Sequence, residues 1–220
     1  MKVISNLAIS IDGKIATSDR QLFWVGSKKD HTMLLKIRNQ ADAILMGSEV
    51  LRTFKNPCLR LDQKVVTNII YAKNFKNIDF NWPFFKSNKI KRVIVITGKA
   101  SQKIKNKINE TCHLIDLSGS KNTETKLLSH LKTQGIRTLL VEGGGVVMWQ
   151  FLKNNQIDEL FLTVCPRVIG GKDAPTLVDG EGFSPKNVVN LKLVSAKRVK
   201  SELFLKYKKL KKRGAKHPEY

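Results

Sequence analysis

The chain is predicted to be an α/β protein. Short runs rich in β-branched residues alternate with amphipathic stretches of helical period, and a glycine-rich turn joins one apolar run directly to a helix. The last two apolar runs follow one another without an intervening helix, which predicts a closing β-hairpin. At 220 residues, 41% of them hydrophobic, the chain has material for one core of ordinary α/β size, and no internal repeat or linker divides it.

Lys2 to Ile11 alternates and reads as the first strand, ending at the turn residues Asp12-Gly13. Lys28 to Asn39 places Met33, Leu34, Leu35 and Ile37 on an amphipathic helix, followed by a short strand, Ala43 to Met46, that Gly47 breaks. Val65 to Ala72 is a strand, and the polar and aromatic stretch ending in Trp82-Pro83-Phe84-Phe85 reads as a loop. A strand over Arg92 to Thr97 precedes a helix capped by Ser101 and running to about Asn109; Cys112 to Ile115 is a strand and Thr123 to Thr133 a helix ended by Gly135. Thr138 to Val141 is a buried strand that passes through Glu142-Gly143-Gly144-Gly145 into a helix, Val146 to Lys153. Strand Glu159 to Val164, a glycine-rich stretch from Gly170 to Gly182, and strands Val188 to Val199 and Glu202 to Tyr207 complete the domain, residues 1–207. Residues 208–220 carry six Lys and Arg side chains with almost nothing apolar and are expected to form a mobile basic tail.

The formal charge is +22, from 40 Lys and Arg against 18 Asp and Glu, so the surface draws anions. The bases are spread along the chain instead of forming a focused patch, which favours a solvated surface over nucleic-acid binding. Cys58, Cys112 and Cys165 are odd in number and far apart, as in a reducing compartment, and no apolar run approaches membrane-spanning length. A cytoplasmic protein is expected. His31, His113 and His130 lack the spacing of a metal site.

Glu142-Gly143-Gly144-Gly145 stands where backbone N–H groups and a helix N-terminus can approach a pyrophosphate, although glycine turns of this kind also arise for steric reasons and the G-x-G-x-x-G spacing is absent. Asp12 and Lys14 fall at the carboxyl edge of the sheet, where α/β proteins bind ligands, or form a plain turn. Arg38 either grips a phosphate or complements the dipole of its helix, and Trp24 either stacks on a flat heterocycle or anchors its loop.

Together these segments resemble the reductases of riboflavin biosynthesis, a family that includes the C-terminal half of the bacterial deaminase-reductase and stand-alone archaeal and fungal enzymes. The resemblance runs from residue 2 to about 207. It is carried by Val3 to Asn6 with Ile11 to Ala16, Arg38 with Ala41 to Gly47, Asn56-Pro57-Cys58-Leu59, Val141 to Gly145, Asp158-Glu159-Leu160, and above all Cys165 to Phe183.

The resemblance implies a dihydrofolate-reductase-like three-layer α/β/α fold with a mixed, mainly parallel sheet, NADPH as cofactor, a homodimer, and a phosphorylated ribosylamino-pyrimidine as substrate. With the resemblance starting at residue 2, no deaminase half is expected, and Ser5-Asn6 with the form of Gly170 to Phe183 looks more like the archaeal and fungal type, which acts on the 2,5-diamino-pyrimidinone. The bacterial type acts on the amino-uracil. Carried over by position, Gly143, Gly144, Gly145 and Val146 hold the cofactor diphosphate, and Ala8, Trp24, Gly47, Val50, Ala72 and Lys73 also meet the cofactor, Lys73 by pairing with its 2′-phosphate. Asn6, Arg38, Leu59, Arg60 and Glu142 meet the substrate, Arg38 and Arg60 at its phosphate. Asp12 and Lys14 are candidates for handling the proton that accompanies ring opening.

The chain departs from the family pattern in one region. Val50 and Lys55 stand where a Thr and an Asp are usual, Arg60 lies closer to Pro57 than expected, and Asp62 takes the normal spacing. A one-residue insertion near Arg52-Thr53 accounts for part of this and makes Thr53 a replacement hydroxyl. The rival readings are a related reductase recruited to another pterin or pyrimidine, a nucleic-acid-binding protein retaining the fold, and a non-catalytic interaction protein.

Overall fold

The computed structural model describes residues 1–210. Its centre is a nine-stranded sheet in the order β5-β4-β3-β2-β6-β1-β7-β9-β8. The strands are β1 (Lys2–Ser10), β2 (Ala43–Gly47), β3 (Val66–Ala72), β4 (Ile90–Ile96), β5 (His113–Asp116), β6 (Thr138–Val141), β7 (Glu159–Cys165), β8 (Leu191–Val199) and β9 (Glu202–Lys209). Strands β1 to β7 are mutually parallel, and β8 and β9 close the sheet as an antiparallel hairpin against β7. The mixed, mainly parallel sheet with a terminal hairpin is therefore present.

Helices α1 (Lys28–Arg38), α2 (Ser48–Phe54), α3 (Pro83–Lys86), α4 (Gln102–Asn109), α5 (Thr123–Thr133) and α6 (Gly145–Lys153) cover the two faces. Alternation along the strands divides the core in two. Val3, Leu45, Ile69, Val95 and Leu139 pack with Leu127 of α5 and Phe151 of α6, whereas Ile4, Ile44, Ile70 and Ile94 pack with Ile37 of α1, Leu51 of α2 and Ile108 of α4. Both faces of the central strands are buried, which explains why these runs are continuously apolar.

Two helices were not anticipated, one following Gly47 and one within the stretch expected to be a loop. Gly47 does end β2, but it is also the N-cap of α2, in extended conformation, and the fully buried Leu51 holds that helix on the sheet. The Trp82-Pro83-Phe84-Phe85 stretch contains α3: Pro83 suits the first turn, and Phe84 and Phe85 are buried beside Phe80 and Phe75. The expected tail begins too early. Lys208 and Lys209 belong to β9, where their ammonium groups lie 3.5 Å from Glu159 and 3.2 Å from Asp158; residues 211–220 of that segment lie outside the described residues. Among the described residues no helix is long and apolar enough to cross a membrane.

Candidate active site

A cavity of about 1120 Å³ opens at the carboxyl ends of β1, β2 and β6, where strand ends and the loops after them leave a crevice. One wall is the turn from β6 into α6. Gly144, the N-cap, has no side chain, and no side-chain hydrogen bond caps this helix, so the N–H groups of its first turn are left for a ligand. Close packing behind the turn requires Gly145: a Cβ there would lie 2.3 Å from Asp179 Oδ2 and 2.5 Å from the Thr176 carbonyl oxygen. The Cys165 to Phe183 stretch is thereby explained as scaffolding. Thr176 accepts a close approach from Gly145 and bridges to Lys14, while the Asp179 carboxylate accepts from the Thr176 N–H.

The opposite wall is α1. Ser27 caps it, its Oγ accepting the Lys29 and Asp30 N–H groups, and Asp30, Leu34 and Arg38 then recur at helical spacing along the cavity. Arg38 donates through Nε and Nη2 to the two oxygens of Glu142, both at 2.7 Å, and through Nη1 to the Leu59 carbonyl at 3.4 Å. The pair is about nine-tenths buried. Burial by itself lowers the Arg38 pKa, but the Glu142 charge outweighs it and drives the value up, so the guanidinium is permanently charged.

Cys58 touches the same carboxylate, Sγ to Oε2 3.5 Å, and burial followed by the Glu142 charge pushes its thiol well above the usual range. It is an inert thiol. Its backbone is held by Asn68, wholly buried on β3, which accepts the Cys58 N–H at 2.7 Å and donates to the Cys58 carbonyl at 3.0 Å.

Of the residues singled out from sequence, the structure brings Asn6, Ala8, Trp24, Arg38, Gly47, Val50, Lys73, Glu142, Gly144, Gly145 and Val146 to this cavity. Trp24 is 49% exposed and meets His31 and Phe54 edge-on, so it is no core anchor. Thr53 reaches the cavity too, its hydroxyl donating to the Arg20 carbonyl at 3.3 Å.

Asp12, Lys14, Leu59, Arg60, Ala72 and Gly143 are not among the lining residues. Hydrogen bonds from Ser10, Ile169 and Gly170 hold the Asp12 carboxyl down at about 2, and Lys14 donates to the Ala174 carbonyl; both tie the β1 turn to the 165–183 stretch. Both lie outside the cavity lining with their polar groups tied to that stretch, so the structure does not bring the expected proton carriers, Asp12 and Lys14, to the site. Arg60 is turned away, forked onto Asp62 and donating to the Ala41 carbonyl, because Asp62 lies two residues on. The residues not foreseen are Asp30 and Asn68; the 30/34/38 spacing after the Ser27 cap was readable, whereas no pattern marks the contact of Asn68 with Cys58.

Residues 1–205 match the profile of the RibD C-terminal domain. A protein of Aquifex aeolicus named 2,5-diamino-6-ribosylamino-4(3H)-pyrimidinone 5′-phosphate reductase is 31% identical over 195 residues, covering 85% of this chain and 87% of that protein. The riboflavin biosynthesis protein RibD of Bacillus amyloliquefaciens is 28% identical over 204 residues, 90% of this chain and 54% of that protein. A pyrimidine reductase-like protein of Corynebacterium diphtheriae superposes with a TM-score of 0.82 at 20% identity, covering 96% of this chain and 92% of that one. A deaminase/reductase of Thermotoga maritima superposes at 0.74 and 19% identity, over 95% of this chain and 56% of that one. The chain is an oxidoreductase and belongs to the RibD C-terminal domain family.

Proposed function

We propose that this protein reduces 2,5-diamino-6-ribosylamino-4(3H)-pyrimidinone 5′-phosphate to its ribitylamino counterpart, with NADPH as reductant. The observation that carries the reading is one cavity bounded on one side by the bare N-terminus of α6 and on the other by the buried Arg38–Glu142 pair. The residues fit a dinucleotide: the N–H donors at the start of α6 carry no side-chain cap, which suits a diphosphate. Lys73 and Thr97, at the ends of β3 and β4, line the same cavity and suit the 2′-phosphate end.

When bound, the reduced nicotinamide supplies the hydride that adds to C1′ of the ring-opened substrate. The protein's part is to hold and orient. Gly144, Gly145 and Val146 present backbone donors to the diphosphate; Arg38, locked in its fork by Glu142, keeps a fixed cationic edge for the phosphate end of the substrate. Glu142 orients sugar hydroxyls, and Asn6 and Ala8 on β1 form the floor. The net charge of +22 raises the local concentration of both anionic ligands.

A dimer in a cytoplasmic setting belongs to the same reading, and sedimentation equilibrium tests the dimer. The function is tested by following NADPH oxidation with the diamino-pyrimidinone phosphate and, separately, with its deaminated amino-uracil counterpart. Turnover of the first is expected. NADPH binding without turnover of either points to a recruited relative, and failure to bind NADPH overturns the reading.

A further inference from the structure

The cavity continues past the two walls described above. Val146, Gln150 and Lys153 all line it, at the i, i+4, i+7 spacing that sets three side chains on one face of a helix, so it follows α6 from its first turn to its last. Across from that face stand Tyr71 and Lys73 at the end of β3, Thr97 after β4, and Thr123 at the start of α5. Hydrogen bonds between α5 and the end of α6 close this arm of the cavity. The Asn154 amide donates to the Glu124 carboxylate and, at 3.3 Å, to the Gln150 carbonyl; the Gln156 amide donates to the Thr125 hydroxyl at 3.1 Å. The Tyr71 and Thr123 hydroxyls bond to each other.

These bonds use up the polar groups of the wall and leave others free. Glu124, the acid of this arm, is 1% exposed and held by Asn154, so its carboxylate is already engaged. Lys73 and Lys153 are exposed and make no ion pair among the described residues. Gln150 is half-buried, and among the described residues only its backbone carbonyl is bonded at this end, not its carboxamide. Val146 is 62% exposed. A groove that begins at the helix start suited to a diphosphate is thus lined by an apolar side chain, a free amide and two free cations.

Lys153 stands eight residues after Gly145, about 12 Å along the axis. Side chains on a helix lean toward its N-terminus, so the long Lys153 stem carries its ammonium back toward the first turn. In NADPH the diphosphate and the 2′-phosphate hang on the same ribose. A diphosphate held at the first turn therefore places the 2′-phosphate one sugar further along the groove, with the α6 lysine on one side and the β3 lysine on the other. Dinucleotide sites that prefer NADH set a carboxylate on the ribose 2′-hydroxyl, whereas those that prefer NADPH set a cation there. An engaged Glu124 beside two free lysines matches the second pattern.

We propose that the 146–150–153 face of α6 seats the adenosine half of the cofactor, and that Lys153 holds the 2′-phosphate together with Lys73 and sets the preference for NADPH over NADH. Gln150, with an acceptor and a donor on one amide, meets the adenine edge that carries the complementary pair, N6–H and N7. Val146 gives the sugar and base an apolar support. The proposal rests on the function proposed above, in which the reductant is a nicotinamide dinucleotide.

The test is calorimetric titration of the wild type, Lys153→Ala, Lys153→Arg and Gln150→Ala with NADPH, NADH, adenosine 2′,5′-bisphosphate and 5′-AMP, the last two carrying the adenosine half alone. Lys153→Ala is expected to weaken NADPH and the bisphosphate about 10-fold and to change NADH and AMP less than about 2-fold, as for one charge-assisted contact. Added salt is expected to narrow the gap between wild type and Lys153→Ala for NADPH, because it screens that contact. Lys153→Arg keeps the charge and is expected to stay within about 3-fold of wild type. Gln150→Ala is expected to weaken all four ligands alike, about 3- to 10-fold, since the base is common to them. Melting temperatures are expected to be unchanged, because neither side chain has a partner in the fold. Equal loss of NADPH and NADH from Lys153→Ala, no loss of either, or a wild type that binds both equally overturns the assignment. Turnover of neither pyrimidine with the nucleotide pattern as expected overturns the substrate reading and supports the adenosine site; a wild type that binds neither dinucleotide overturns both.

Discussion

The two walls of the cavity meet at Glu142, yet they are built by different means. The β6–α6 wall offers backbone: an uncapped helix N-terminus, with Gly145 pressed against Thr176 and Asp179 and no charged side chain in its first turn. The α1 wall offers charge: a guanidinium and a carboxylate forked together out of water, a buried thiol beside them and an unpartnered acid two turns away. Backbone donors arise wherever the chain turns, and they need only the absence of side chains. Buried charges must be paired, and each depends on the other remaining in place. The α1 wall should therefore be the more fragile under substitution, and the β6–α6 wall the more sensitive to added volume.

The largest effect is expected at the point where the walls join. Glu142→Ala leaves Arg38 buried and unpaired, and loss of one partner of such a pair costs about 3–5 kcal/mol. Urea unfolding at neutral pH measures this. The contrast is Arg38→Met with Glu142→Leu together, which removes both charges and is expected to recover most of the stability while abolishing turnover. A double variant as unstable as Glu142→Ala would show that shape, not charge, governs this wall.

Gly145→Ala tests the other wall. Its Cβ would overlap Asp179 and the Thr176 carbonyl, so the α6 turn or the 176–179 segment must move, at a cost of about 1–3 kcal/mol. Because the uncapped donors move with the turn, nucleotide affinity measured by calorimetry is expected to fall as well. Asn68→Ala sharpens the comparison from the α1 side. It removes both hydrogen bonds to the Cys58 backbone and should cost about 1–3 kcal/mol, with KM rising for the pyrimidine and nucleotide affinity unchanged. Parallel losses for both ligands would mean the two walls are one unit.

This contrast also explains how much could be read from the sequence. Period and turn residues exposed most of the strands, the hairpin and the Glu142 to Gly145 junction, because each depends on local chemistry, whereas the mainly parallel pairing came from the family resemblance. α2 was hidden because Gly47, a fair sign that a strand ends, serves equally as a helix cap, and only the burial of Leu51 decides between them. α3 was hidden because it is four residues long and its aromatics pack on Phe75 and Phe80 of the preceding loop, which has no helical period. At the site, Arg38 and Glu142 were each visible as charges, but their pairing joins residues 104 positions apart. Asp12 and Lys14 were misleading for the same reason: their position at the strand end was right, and their partners, Ile169, Gly170 and Ala174, belong to a distant loop.

The smallest effect expected is at Lys73, which joins neither wall and stands at the cavity margin beyond β3. The backbone there is held close to β4, since a Cβ on Gly98 would lie 2.5 Å from the Lys73 carbonyl oxygen. The ammonium is thus carried on a fixed stem end and makes no ion pair with a carboxylate among the described residues. Lys73→Ala removes nothing the fold needs, so the unfolding midpoint should stay put. A charge-assisted contact to a 2′-phosphate contributes about 1.5–3 kcal/mol, so NADPH affinity is expected to drop roughly 10- to 100-fold while NADH affinity holds. Equal loss of both nucleotides would place the lysine at the diphosphate and leave selection between the two cofactors to the remaining residues of that margin.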